Sequence, residues 1–75
     1  MSSQEILGYV RAEPFRSFRL HMASGRTFEV RHPEMVRVGT TSAVVFDYAG
    51  NDDGLYERIE LLGLLPIKAI EMLDR

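Results

Sequence analysis

The sequence contains no cysteine and no long run of apolar residues. Without cysteine the chain has no disulfide bonds, no thiolate zinc site and no cysteine nucleophile. A transmembrane helix needs about 20 mainly apolar residues, and no segment approaches that length. The start of the chain, MSSQEILGYV, also lacks the basic region and long apolar stretch of a signal peptide. We therefore expect a cytoplasmic protein with no membrane contact.

Internal repeats, linkers and low-complexity segments are also absent from the sequence. The 75 residues suffice for one domain, which we expect to span residues 1–75. Because 45% of the residues are hydrophobic and 27% are charged, the chain should fold into a globular domain. A domain of this size buries only about 60% of the surface that its unfolded chain exposes. The core must therefore be thin, and self-association would add stability.

The formal net charge of −2 hides a separation of charge along the chain. The first half is rich in arginine: Arg11, Arg16, Arg19, Arg26, Arg31 and Arg37. The segment from residue 47 to residue 60 is rich in acids: Asp47, Asp52, Asp53, Glu57 and Glu60. Opposite charges of this kind can meet head to tail between copies of one chain, which predicts a homo-oligomer. The alternative is that the acids only solubilise a loop, while edge charges block strand pairing.

The N-terminal segment has the pattern of a short helix. Ser2 and Glu5 are spaced as a capping box, and apolar residues follow at helical intervals. The pattern predicts a helix over about residues 3–12. Glu13-Pro14 should end it, since proline disfavours the helical conformation of the preceding residue.

The rest of the chain has the two-residue period of β-strands. Two strands should form a hairpin around Ser24-Gly25, and residues 35–38 continue the second strand after a bend. Further strands are predicted at residues 43–48 and 55–62, on either side of the turn sequence AGNDDG. The segment Ile67–Met72 fits either a helix or a closing strand. We prefer the strand, because it would pair with an otherwise open sheet edge.

These elements predict a mostly β domain. A short N-terminal helix precedes a five-stranded, strongly bent antiparallel sheet or small barrel over about residues 16–73. Four phenylalanines are expected in its core: Phe15, Phe18, Phe28 and Phe46. Tyr48 and Tyr56 should form a cross-strand aromatic pair.

The motif His32-Pro33-Glu34 has two interpretations. Pro33 has no N–H group to donate to a sheet, so the motif can simply end a strand, with the His32 or Glu34 side chain bonded to nearby backbone. Alternatively, His32 and Glu34 bind a metal or exchange protons, with His21 as a third group. We favour the structural interpretation and predict no metal, no cofactor, no catalytic residue and no enzymatic activity.

Arginines on the exposed hairpin face are the stronger functional signal. Arg19, His21 and Arg31 should point outward there, and a guanidinium group suits phosphate and can stack on bases. The predicted contact set for a nucleic acid or a protein partner adds His32, Tyr56 and Arg58. The alternative is a solvated face of cross-strand ion pairs, including one from arginine to Glu29. A pI of about 5.6 is low for a nucleic-acid-binding domain.

The predicted order of elements resembles the Sm-like fold, a small SH3-like barrel. The likeness covers nearly the whole chain, and FRLHMASGRTFEV matches the strand-turn-strand that opens that barrel. It implies RNA binding. In the RNA-chaperone branch of that family a Tyr-Lys-His motif contributes to RNA binding, and the comparable stretch here is Tyr56-Glu57-Arg58.

The sequence also resembles a group of short, uncharacterised bacterial proteins. Their shared motifs are Pro-Phe-Arg-x-Phe, Gly-Arg and His-Pro-Glu, present here at residues 14–18, 25–26 and 32–34. That resemblance implies no particular function. The sequence as a whole predicts a non-enzymatic binding or assembly module that forms homo-oligomers, with RNA binding as the alternative.

Overall fold

A computed structural model describes residues 1–48 and 54–73 of the chain. Its elements are helix α1 (Ser3–Val10) and strands β1 (Phe18–Met22), β2 (Thr27–Val30), β3 (Val36–Val38), β4 (Ser42–Asp47), β5 (Arg58–Gly63) and β6 (Ile67–Met72). A 3-10 turn at Pro33–Met35 lies between β2 and β3. Among the described residues no helix is long and apolar enough to cross a membrane.

The capping box at the start of α1 is confirmed. The Glu5 N–H donates to Ser2 Oγ over 3.2 Å, and the Ser2 N–H donates to Glu5 Oε1 over 2.9 Å. The bond from the Ser2 backbone lowers the pKa of Glu5. The helix ends at Val10, slightly earlier than predicted, and it lies next to β3 with Ile6 completely buried.

Six strands form two antiparallel sheets. In sheet one β1 lies between β2 and β6, and in sheet two β4 lies between β3 and β5. The hairpin turn is confirmed, since Gly25 has a φ of 97° and its N–H donates to the Met22 carbonyl over 2.9 Å. The choice of a strand for Ile67–Met72 is also confirmed, because this segment pairs with β1 along its length.

The prediction of one five-stranded sheet or small barrel is wrong. In the described part of the chain, six strands form two three-stranded sheets that do not close into a barrel. The reason lies at Pro33, where the expected continuous strand turns: the Met35 N–H donates to the His32 carbonyl over 3.0 Å, within the 3-10 turn. Because proline cannot donate to a sheet, β2 ends before it, and β3 begins after the turn in the other sheet.

Two sequence-based boundaries differ from the structure. The strand predicted at residues 43–48 is β4, displaced by one residue, and the strand predicted at residues 55–62 begins only at Arg58. Of the predicted turn at residues 49–54, the structure describes only Gly54, whose φ is 81°.

One hydrophobic core is shared by both sheets and the helix. Its buried residues are Ile6, Phe18, Leu20, Met22, Val30, Val36, Ala43, Val45, Leu62, Leu64 and Ile67. Phe15 and Phe28 pack against this core, as predicted. Phe46 does not, because Ala43 and Val45 face inward and a strand directs alternate side chains to opposite sides.

Two glycine substitutions should change stability in opposite directions. Neither Gly8 nor Gly25 has any atom within 4 Å of an added Cβ, so only the backbone conformation matters. Gly25→Ala should lower the free energy of unfolding by about 1–2 kcal/mol, because an L-residue is strained at positive φ. Gly8→Ala, inside α1, should raise it by about 1 kcal/mol. Urea unfolding measures both, and a stabilised Gly25→Ala protein would contradict the hairpin geometry.

Candidate binding surfaces

The residues predicted for nucleic-acid or partner contact lie in three separate places. Arg19, His21 and Arg31 belong to the outer side of sheet one, on β1 and directly after β2. Tyr56 and Arg58 lie just before and at the start of β5 in sheet two. His32 is exposed at the corner between the sheets. The predicted set therefore does not form one continuous site along a single sheet.

Arg19 is held between two carboxylates on the strands beside it. Its Nη2 lies 2.5 Å from Glu29 Oε2 on β2, and its Nη1 lies 3.1 Å from Glu71 Oε1 on β6. The register explains this arrangement, since Arg19 pairs with Glu29 on one side and with Glu71 on the other. The predicted ion pair between an arginine and Glu29 is therefore confirmed.

The same network continues to both ends of this surface. His21 Nε2 lies 2.9 Å from Glu71 Oε1, and Arg31 Nη2 lies 2.6 Å from Glu29 Oε1. We call these five residues, Arg19, His21, Glu29, Arg31 and Glu71, the charged face. Each basic group on it contacts a carboxylate, so binding a phosphate there would require an existing ion pair to be exchanged or shared.

The ion pairs shift the pKa values of the charged face. Hydrogen bonds from Arg19, and next from Arg31, lower the pKa of Glu29. The bond with His21 and then the bond from Arg19 lower the pKa of Glu71. The hydrogen bond to Glu29 raises the pKa of Arg19 above its usual range. Both carboxylates are therefore stabilised in their charged form.

The His-Pro-Glu motif builds a corner from its backbone. His32 is the N-cap residue of the 3-10 turn but makes no capping hydrogen bond with its side chain, and Glu34 is exposed. The prediction was a backbone bond from either the His32 or the Glu34 side chain, and the His32 side chain does not make it as a cap of this turn. Among residues 1–48 and 54–73, no three His, Asp or Glu side chains are grouped as metal ligands would be.

A groove of about 300 Å³ lies between β2 and the adjoining ends of β4 and β5. Arg26 crosses it, with Nη2 3.3 Å from Glu60 Oε1 and the guanidinium carbon 4.9 Å from the centre of the Phe28 ring. Arg58 Nη2 lies 3.1 Å from Asp47 Oδ2 in the same groove. Both arginines of the groove therefore contact carboxylates of the chain.

The outer side of sheet two is different, because it is apolar. The register places Phe46 beside Ile59 and Val44 beside Leu61. We call these four residues the apolar face. Ile59 is 50% exposed and Leu61 is 72% exposed, although both lie on a regular strand whose other side reaches the core at Leu62.

Aromatic side chains extend the apolar face at one end. The rings of Phe46 and Tyr56 lie 5.3 Å apart, and those of Tyr48 and Tyr56 meet edge to face at 6.3 Å. The predicted contact between the two tyrosines is therefore confirmed, although Tyr48 follows β4 and Tyr56 precedes β5, so neither lies within a strand. Tyr56 remains about half exposed, so it enlarges the surface that is open to contact.

Sequence reasoning missed the apolar face. The signal was present in residues 59–62, where Ile59, Leu61 and Leu62 place apolar side chains on both sides of one strand. Such a strand suggests burial on both sides. Among the described residues, only the Leu62 side is covered.

No family model matches the chain, no curated protein matches it, and no solved structure matches it. The resemblances to the Sm-like fold and to the short bacterial proteins therefore remain predictions.

Acid should remove the stability that Glu71 contributes. Because its pKa is lowered in the folded protein, this contribution is fully present above the ordinary value of 4.5 and is lost as the pH falls through the folded-state pKa. The free energy of unfolding should thus differ most between wild type and Glu71→Gln near neutral pH. Below pH 4.5, the ordinary pKa of a glutamate, the difference in the free energy of unfolding between the two proteins should shrink.

Urea unfolding between about pH 7 and about pH 3 measures that difference. Glu34→Gln is the matched control, since Glu34 is exposed at the corner and outside the charged face. A difference between wild type and Glu71→Gln that does not vary with pH would contradict the ion pairs of Glu71.

Proposed function

We propose that this protein is a non-enzymatic binding and assembly module that acts through the apolar face. The observation that carries the proposal is the exposure of Ile59 and Leu61 on a regular strand, beside Val44 and Phe46. A single exposed apolar residue needs no explanation, whereas a contiguous apolar patch commonly marks an interaction site. In this proposal the protein is cytoplasmic and forms homo-oligomers.

The composition of the patch supports a protein contact. Interface centres are depleted in charge and enriched in aromatic residues, and the patch consists of aliphatic side chains with Phe46 and Tyr56 at one end. Arg37 on β3, which pairs with Val44, supplies a polar rim on the far side. Fully burying a Leu or Ile side chain contributes about 1.5–3 kcal/mol, so covering this patch offers a clear gain.

RNA binding remains the alternative proposal, and the charges give it less support. Arg19 would have to release or share two carboxylates to bind a phosphate. Tyr56 and Arg58 lie in the other sheet, away from Arg19 and Arg31. Binding of a single-stranded oligonucleotide that weakens steeply with salt would support this alternative.

Leu61→Ser should weaken self-association by about tenfold or more, because it removes the most exposed member of the apolar face from the contact. The stability of the isolated chain should change by no more than about 0.5 kcal/mol, since the side chain is mostly in water. Light scattering on a sizing column over a range of protein concentrations measures the change in association.

Leu65→Ser is the matched control. Leu65 is 91% exposed and lies in the turn between β5 and β6, away from the apolar face. The Leu65→Ser protein should associate like the wild type. The proposal would be wrong if the wild type stayed monomeric at every concentration, or if the two serine variants behaved alike.

A further inference from the structure

Strand β5 forms one edge of sheet two, and among the described residues no strand pairs with its outer side. The other edges are protected in recognised ways. Strands β2 and β3 have only four and three residues, and β6 carries the exposed Lys68. Strand β5 has six residues, with Ile59 and Leu61 exposed on it. Its exposed charge, Arg58, lies at the start of the strand, so Ile59 and Leu61 leave the rest of this edge weakly protected.

The hydrogen-bond pattern shows which backbone groups of β5 are open. The Leu64 N–H donates to the Thr41 carbonyl over 3.0 Å, and directly opposed residues in an antiparallel pair bond at every second position. Leu62 and Glu60 lie two and four positions before Leu64, so they also occupy bonded positions facing β4. The N–H and C=O groups of Ile59 and Leu61 therefore point to the free edge.

We infer that β5 pairs antiparallel with β5 of a second copy of this chain, with Ile59 on the two-fold axis. This inference rests on the proposed function, because it names the partner of the apolar face. The two sheets would join into one sheet of six strands, with the two apolar faces side by side on its outer side. Ile59 would then pack against Ile59 of the other copy, and Leu61 would pack diagonally against the same residue. A two-fold contact is self-complementary and closes at a dimer.

Of the possible registers between the two β5 strands, the charges favour the one with Ile59 on the two-fold axis. With Ile59 on the axis, Arg58 of each copy faces Glu60 of the other, so two opposite-charge pairs form between the copies. They add to the pairs that Arg58 makes with Asp47 and Glu60 makes with Arg26 within each chain. A register with Glu60 on the axis would instead place two like charges directly opposite each other. With Leu61 on the axis, Glu60 would face Leu62 and gain no partner. The sequence of β5 thus favours the first arrangement.

Charge reversal tests the pairing of Arg58 with Glu60. Arg58→Glu and Glu60→Arg should each weaken dimerisation by about tenfold or more, since each places like charges opposite one another twice. A mixture of equal amounts of the two variants should recover the dimer, with one chain of each kind. Arg37→Glu is the matched control, because β3 is the opposite edge of sheet two. An Arg58→Glu protein that dimerises like the wild type would overturn the register.

Cysteine substitution is the sharper test, because the chain has no cysteine of its own. Two Ile59 residues across the axis would have Cα atoms about 5.5 Å apart, a distance that a disulfide spans readily. Ile59→Cys should therefore form a covalent dimer under mild oxidation. Leu61→Cys should not, since the two Leu61 residues would be four positions apart in register. Both side chains are exposed, so the variants should fold.

Each result of the cysteine test has a defined meaning. The inference is supported if Ile59→Cys forms a covalent dimer and Leu61→Cys does not. Adding Leu61→Ser to Ile59→Cys should then abolish that dimer. Cross-linking of Leu61→Cys alone, or of neither variant, overturns it. In either of those cases, a wild type that still associates and is disrupted by Leu61→Ser leaves the proposed function standing. A monomeric wild type would overturn both.

Discussion

The constraint on which this structure depends is that one thin core must serve two three-stranded sheets. Each sheet has two sides, and among residues 1–48 and 54–73 the core shared by the sheets and the helix covers one side of each. The outer sides must be made compatible with water in another way. Sheet one achieves this with ion pairs that run across all three of its strands. Sheet two does not, because its outer side carries Ile59 and Leu61.

The two outer sides therefore differ in what they can do. Surface ion pairs contribute little stability individually, but they keep the charged face soluble and occupy its guanidinium groups. The apolar face gains free energy only when something covers it. A second copy of the chain paired along β5 covers part of it from the side, because Ile59 and Leu61 of one copy pack beside β5 of the other. In our proposal, assembly would thus be driven by the apolar face and not by the arginines from which the sequence predicted it.

Local patterns predicted most of the fold. The capping box at Ser2 and the turn at Gly25 depend on neighbouring residues, so the sequence specifies them directly. The closing strand at Ile67–Met72 followed from the need to pair an open edge. The division into two sheets was missed, because Pro33 shows that a strand ends and does not show which sheet the next strand joins.

The candidate site was predicted less well, for a physical reason. Arg19 contacts both Glu29 and Glu71 because of two strand registers. One of these registers joins residues far apart in the chain. The exposure of Leu61, and the position of Phe46 outside the core, depend on which side of sheet two the core occupies. Both are tertiary properties, and the alternation of apolar residues alone does not determine them.

Amide hydrogen exchange at Ile59, followed by NMR at several protein concentrations, tests the central claim most directly. In the proposed dimer this N–H donates across the two-fold axis, so its exchange should slow markedly as the protein concentration rises. The N–H of Leu62, which bonds to β4 within the chain, should change much less. Rapid exchange at Ile59 at every concentration would contradict the account.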